Sequence, residues 1–347
     1  MTKVTRAALT GQRKDDHIRI NLDEDVQFPR VTTGLERLRF MHQALPELDL
    51  EAIDIRTTIF GKSLSSPLLI SSMTGGTERA RQINLTLAEA ARDAGIALGL
   101  GSLRAALEDP VLAATYDVRR VAPDILLFAN LGAVQLNYGY GLEQCQRAVD
   151  MVGADALILH FNALQEAVQP EGDSRFGGLL ARVEAICRGL EVPVVAKEVG
   201  WGFSPQAARQ LADAGVAAID VAGSGGTSWS EVEYYRAPTA QHASVARAFA
   251  DWGIPTADSL RYAREAAPGL LIFASGGLRD GVDIAKCIAL GAELGGMAGP
   301  FLQAAAQSVD AVSKLIWELT TQLRVAMFAA GAANIAALKQ TPLYPVP

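Results

Sequence analysis

Positive charge is in short supply in this chain. Lys and Arg number 31 against 38 Asp and Glu, for a net charge of −7. That balance argues against a nucleic-acid partner, whose readers carry a basic face. It does not exclude a small anionic ligand, because a few focused cations can outweigh the global balance. Cysteine is equally scarce. Cys145, Cys187 and Cys287 stand far apart with no CxxC or Cys/His spacing, so a zinc site is not indicated and a reducing compartment is expected. All three fall in helix-like stretches and read as packed thiols. No run approaches the roughly 18 continuous apolar residues of a membrane span. The first twenty residues lack an apolar signal core, and Asp15 and Asp16 argue against a transit peptide. A cytoplasmic protein with no membrane partner is expected.

What the chain does have is apolar material: half of its 347 residues are apolar and a fifth are charged, enough for a large core. Residues 1–65 read as an irregular, charged arm, and 66–347 as one structural domain. From Pro67 onward, short apolar runs alternate with amphipathic stretches. The runs are 68–71, 96–99, 125–130, 156–160, 194–197, 218–221, 270–274 and 293–298; helices are expected over 79–94, 141–152, 178–190, 205–214 and 281–290. Eight near-continuous apolar strands separated by helices imply parallel strands covered on both faces. Eight such units in about 260 residues match the size of a (β/α)8 TIM barrel. A doubly wound sheet is the alternative. Between the sixth and seventh runs, residues 223–269 should hold a loop and two helices broken near Gly253 and Pro255. A last helix is expected from about Phe301 to Ala330, stopped by Gly331.

Glycine and small polar residues recur just after the runs: Ser71 to Gly76, Gly101-Ser102, Asn130 to Gly132, Gly223 to Thr227, Ser275 to Gly277 and Ala298-Gly299. The carboxyl ends of barrel strands form the functional face, and the last two loops lie where such barrels commonly hold a phosphate. Glycine lets backbone N–H groups approach phosphate closely. Tight turns alone are the plainer reading, but the set as a whole favours a phosphorylated cofactor. None of the loops is GxxxxGK[ST], so a nucleoside triphosphate is not indicated. Lys197 ends the fifth run facing the mouth. A buried ammonium there needs an anion, either a reduced flavin or a wall carboxylate such as Glu198.

Three polar clusters remain. Arg13-Lys14-Asp15-Asp16-His17 offers a guanidinium and an ammonium suited to phosphate oxygens, although short basic runs are usually solvated. Ser102-Leu103-Arg104 follows the second run. His160 to Glu166, then Gln169 to Asp173, follow the fourth. Amide and carboxylate oxygens on one loop suit a hard cation such as Mg2+, with Glu166 the best ligand candidate. His160 reads equally as a wall residue or a substrate contact.

Taken in order, SSMTGG (71–76), GSLR (101–104), FANLG (128–132), LHFNALQE (159–166), QPEGD (169–173), VVAKEVGWG (194–202), DVAGSGGTSW (220–229) and ASGGLRDGVDIAKCIALGA (274–292) resemble the type 2 isopentenyl-diphosphate isomerases. The likeness runs from Arg13 to about Pro342. It implies FMN held by Ser71, Ser72, Met73, Thr74, Ser102, Asn130, Lys197, Thr227, Gly276, Gly277, Leu278, Ala298 and Gly299. It also implies a substrate diphosphate met by Arg13, Lys14, His17, Ser102, Leu103 and Arg104. Gln165 would lie near the reacting carbons, with His160 and Asn162 as further catalytic candidates and Glu166 on Mg2+. NAD(P)H would serve as flavin reductant, and the assembly would be a homo-oligomer, tetramer or octamer. Ala222 departs from the pattern, since relatives often have serine or glycine there. The alternative chemistry on the same barrel is an FMN-dependent 2-hydroxy-acid oxidase or dehydrogenase, which wants a histidine base commonly found after the sixth strand. Asp220-Val221-Ala222-Gly223 supplies none, and His242 lies well beyond it.

Overall fold

The eight apolar runs become strands because each is too short for a helix, is apolar on both faces, and is closed by glycine or polar residues. The computed structural model describes residues 6–346; residues 1–5 of the expected arm, and Pro347, lie outside the described residues. In chain order the arm carries α1 (Arg6–Asp23), β1 (Leu38–Phe40), β2 (Thr57–Ile59) and β3 (Lys62–Leu64). The barrel strands are β4 (Leu68–Ile70), β5 (Ala97–Gly99), β6 (Leu127–Gly132), β7 (Ala156–Phe161), β8 (Val194–Glu198), β9 (Ala218–Asp220), β10 (Leu271–Ala274) and β11 (Leu294–Met297). They pair in parallel in sequence order, and β11 closes the ring against β4. The expected (β/α)8 barrel is the observed fold, with strand bounds within two residues of the apolar runs.

Around the ring lie α2 (Glu78–Ala94), α3 (Arg104–Glu108), α4 (Leu142–Val152), α5 (Ala163–Val168), α6 (Leu179–Gly189) and α7 (Pro205–Asp213). Then follow α8 (Trp229–Arg236), α9 (Ala240–Arg247), α10 (Thr256–Ala266), α11 (Gly281–Ala289), α12 (Gly299–Ala305), α13 (Val309–Ala329) and α14 (Ile335–Lys339). Alternate strand residues divide between two cores. Leu69, Phe128, Ile158, Val195, Phe273 and Leu294 fill the barrel's interior, while neighbours such as Leu98, Leu157, Ala196 and Ile272 pack outward against the helices. The β2–β3 hairpin plugs the amino end of the ring. Its turn residues Phe60 and Gly61 both have positive φ, as a tight two-residue hairpin requires. Phe60 meets Phe128 and Phe273 edge-on at 6.3 and 6.4 Å.

Three expectations are corrected. The arm is not irregular throughout, because α1 is a helix of 18 residues. Its apolar residues Ile18, Ile20 and Leu22 alternate as in a strand, which hid the helical period. Ile18 joins the main core, whereas Ile20 packs with Val26 and Val232 in a separate cluster. The insertion after β9 holds three helices, not two. The last long helix is interrupted, with α12 and α13 separated at Ser308, whose side chain caps α13 by accepting from Ala311 N–H. The three cysteines do sit in helices, two of them buried.

Candidate active site

Parallel strands bring their carboxyl ends to one rim, and the glycine-rich connections open there into a cavity of about 600 Å³. Along one side, Ser71, Ser72, Met73 and Thr74 follow β4, and Asn130 projects from β6. Thr227 follows β9, Gly276, Gly277 and Leu278 follow β10, and Ala298 and Gly299 follow β11; all line the cavity. Three hydroxyls here, Ser71 Oγ, Ser72 Oγ and Thr74 Oγ1, are buried without a hydrogen-bond partner among the described residues. Buried polar atoms are rarely left that way, so they await a ligand. A Cβ on Gly276 would fall 2.1 Å from the Gly223 carbonyl, so the loops after β9 and β10 pack backbone to backbone. A Cβ on Gly299 would meet nothing within 4 Å, which leaves that backbone open to the cavity. Ala222, also on the wall, has φ +36, a left-handed conformation that glycine would adopt more easily.

Lys197 lines the same cavity from β8. Its ammonium lies 3.2 Å from Asp220 Oδ2 and donates to Ser275 Oγ at 3.2 Å and to the Glu198 carbonyl at 3.1 Å. The wall carboxylate that pairs with it is therefore Asp220. Glu198 turns its own carboxylate away to accept from the N–H groups of Val199, Gly200 and Trp201. Burial pushes the Glu198 carboxyl up to about 7 despite those bonds.

The opposite side is polar and charged. Helix α1 crosses the mouth because Phe28 N–H donates to the Gly226 carbonyl at 3.0 Å and Ser228 N–H to the Val26 carbonyl at 2.7 Å. That anchoring brings Arg13, Lys14 and His17 to the rim, facing Ser102 and Arg104 from the β5 connection. Arg104 donates to Glu108 at 2.9 Å and to Asp173 at 2.7 Å. Lys14 donates to the Ser102 carbonyl at 3.0 Å and to the Tyr116 hydroxyl at 2.7 Å. Burial, followed by repulsion from Arg13 and Arg104, brings the Lys14 ammonium down to about 7.

Between the two sides stand His160, Asn162, Gln165 and Glu166. His160 Nδ1 is 2.8 Å from Asn130 Oδ1. Burial and the nearby Lys197 bring its pKa down to about 4, so the ring is neutral at pH 7. Asn162 Nδ2 donates to Glu166 Oε1 at 2.9 Å, while Asp173 N–H donates to Glu166 Oε2 at 2.6 Å. Burial raises the Glu166 carboxyl in spite of both bonds. Asn162 Oδ1 is buried and unpartnered among the described residues. Gln165 Nε2 donates to Glu233 Oε1 at 2.9 Å.

Leu103 is the exception among the expected site residues. Its side chain is fully buried in the outer core, so only its neighbours Ser102 and Arg104 reach the cavity. Sequence reasoning missed Glu233, Arg236 and Tyr116, and placed Gln169 in the polar loop without giving it a partner. Glu233 is buried, contacts His17 Nε2 at 3.3 Å and pairs with Arg236. Burial alone would raise its carboxyl, but His17, Arg236 and Gln165 bring it down overall. Gln169, with its amide oriented to satisfy both neighbours, accepts from Arg13 at 3.1 Å and donates to Glu233 at 3.3 Å. Glu233 and Arg236 sit in a stretch that reads as an ordinary i, i+3 charged face, and nothing local marks it as buried.

A glycine-cradled cavity with unpartnered hydroxyls at the mouth of a (β/α)8 ring defines a barrel enzyme suited to a phosphorylated cofactor. The family model described as FMN-dependent dehydrogenase matches residues 10–120 and 162–345. Curated proteins named isopentenyl-diphosphate delta-isomerase are 58% identical in Synechocystis sp., covering 96% of each chain, and 52% identical in Rickettsia bellii, covering 96% of this chain and 97% of that one. The chain belongs to the isopentenyl-diphosphate delta-isomerase family. Among solved structures, mandelate oxidase with (S)-2-phenylpropionate superposes with a TM-score of 0.67 at 23% identity over 98% of both chains; this likeness is one of fold. No histidine follows the sixth barrel strand into the cavity, and His242 is exposed on α9, bonded to Thr239 Oγ1; the histidines that line the cavity are His17 and His160.

Proposed function

We propose that this chain converts isopentenyl diphosphate into dimethylallyl diphosphate, moving one double bond by one position. The observation that carries the reading is the convergence in one cavity of Arg13, Lys14 and Arg104, of Asn162 and Glu166, and of the glycine and hydroxyl loops that suit a phosphorylated cofactor. The relatives' names support the same substrate. The reaction protonates an unactivated alkene and removes a proton from the neighbouring allylic carbon, which ordinary side chains at their normal pKa do poorly. Developing positive charge therefore needs a dry, preorganised site.

FMN fits the cavity's first side. Ser71, Ser72 and Thr74 offer the unpartnered hydroxyls, and Gly276, Gly277 and Gly299 offer backbone at close range. Reduced FMN, when bound, supplies proton-transfer chemistry at N5, with NAD(P)H as the reductant that charges it. Lys197, held by Asp220 at the cavity wall, would offer positive charge to a reduced, anionic flavin. Mg2+ fits Glu166 and the unpartnered Asn162 Oδ1. A hard cation with so few protein ligands would fill its shell with water and substrate phosphate; among the described residues no cluster of three or more His, Cys, Asp or Glu ligands occurs.

Arg13, Lys14 and Arg104 bind the diphosphate, and the arm contributes two of these three cations. His160, being neutral, adds a hydrogen bond and no charge. Gln165, held by Glu233, orients or relays the proton near the reacting carbons. Helix α1 shields the mouth from water. Three unbridged cysteines suit the reducing, cytoplasmic setting proposed for it; among the described residues no helix is long and apolar enough to cross a membrane. The assembly proposed is a homo-oligomer, tetramer or octamer, for which exposed Trp252 and Trp317 are candidate contact residues.

The test is colour and turnover together. Purified protein with FMN should gain flavin absorbance and convert isopentenyl diphosphate only with the flavin reduced and Mg2+ present. Gln165→Asn should keep the flavin and lose at least ~100-fold in turnover, the lower range of a general acid–base contribution. Normal turnover in that variant removes Gln165 from the chemistry. Turnover with oxidised flavin, or none under any condition, removes the isomerase reading.

A further inference from the structure

Lys14 is held in an unusual way. Its ammonium is partly buried at the cavity wall, yet among the described residues its hydrogen bonds go to two neutral oxygens, the Ser102 carbonyl at 3.0 Å and the Tyr116 hydroxyl at 2.7 Å. Tyr116 is fully buried, and its own O–H donates to the same Ser102 carbonyl at 2.7 Å. The three groups form a closed triangle. A buried cation ordinarily takes a carboxylate, and a carboxylate here would neutralise the ammonium permanently.

The surroundings keep the phenol in that place. A Cβ on Gly75 would lie 2.0 Å from the Tyr116 ring, so the ring needs a glycine there. A Cβ on Gly76 would come within 3.2 Å of both the Tyr116 hydroxyl and the Lys14 ammonium, and Gly76 has φ +86 besides. Thr115 Oγ1 accepts from Gly76 N–H at 3.0 Å, tying the turn that carries Tyr116 to the loop after β4. The cavity's phosphate cations and its cofactor loop thus share one rigid support.

We propose that Tyr116 is a positioning residue for anion binding: its phenol fixes the Lys14 ammonium at the cavity while leaving that charge free for an incoming diphosphate. The inference rests on reading the cation cluster as a diphosphate site. The charged groups facing Lys14 are Arg13 on its own helix and Arg104 and Glu108 on α3. Glu108, whose charge favours the ammonium, is engaged by Arg104, so the acceptors that meet Lys14 directly are the Ser102 carbonyl and the Tyr116 hydroxyl. Removing the phenol oxygen destabilises the ammonium, and anion binding should be lost at lower pH than in the unaltered protein.

The test uses FMN-loaded protein and inorganic pyrophosphate with Mg2+, read by calorimetry. Four proteins are compared: unaltered, Tyr116→Phe, Lys14→Met and the double variant. Tyr116→Phe should retain FMN affinity and weaken pyrophosphate binding about 10-fold, the effect of one hydrogen bond to a charged group. On the Lys14→Met background the same change should alter binding by less than about 2-fold, because coupled residues are not additive. Binding should also fall off at lower pH in Tyr116→Phe than in the unaltered protein; comparing the two cancels the titration of pyrophosphate itself. Unchanged binding in Tyr116→Phe, or an equal loss on both backgrounds, overturns the proposal, as does failure of the unaltered protein to bind pyrophosphate. If the unaltered protein binds pyrophosphate but leaves isopentenyl diphosphate unchanged, the isomerase reading falls and the role of Tyr116 stands.

Discussion

Single residues decide how the two halves of the cavity are coupled. Gly172 is one of them. A Cβ there would lie 1.9 Å from the Glu166 carbonyl, because the 169–173 loop folds back on α5 to deliver Asp173 N–H to the Glu166 carboxylate. The Asp173 carboxylate meanwhile accepts from Arg104 and from Gln135 at 3.0 Å. One residue thereby orients both the metal-type carboxylate and a diphosphate-type cation. Gly172→Ala should lower stability by about 1–3 kcal/mol through overpacking, measured by urea unfolding. It should also raise the Mg2+ concentration for half-maximal turnover several-fold. Residues in short motifs after strands were legible because so many glycines, amides and carboxylates together at one set of strand ends exceed what tight turns alone require. Tyr116, Glu233 and Arg236 were not, since each joins the site from a turn or helix that only the folded topology brings near.

At the level of elements, legibility followed apolar content. The barrel strands stood out because burial on both faces leaves an unbroken apolar run. Helix α1 did not, because it splits its few apolar residues between two clusters and never presents one stripe. The break between α12 and α13 was missed for the opposite reason. Apolar residues continue at helical spacing on both sides of it, and the interruption lies in Ser308, which adopts an extended backbone and caps the second helix. Ser308→Ala should reduce stability by about 1 kcal/mol, read as a shift of the urea midpoint with an unchanged slope. Catalysis should be unaffected, since Ser308 does not line the cavity.

Across the whole molecule, charge is distributed against its average. The net charge is −7, yet Arg13, Lys14, Arg104, Lys197 and Arg279 all face one cavity. Binding of a diphosphate should therefore weaken with salt even though the protein is acidic. Raising NaCl from roughly 0.05 to 0.5 M, over which screening shortens several-fold, should raise KM several-fold while kcat holds. A salt-independent KM would mean that the cations are already neutralised by protein groups. A different consequence follows from β1 and β12 (Leu343–Pro345), which zip antiparallel, Leu38 opposite Pro345 and Phe40 opposite Leu343. Joining them closes a loop of roughly 300 residues, and such long-range pairings form late. The pairing spans the whole ring in sequence, so its loop-closure cost falls only once the intervening barrel is itself compact.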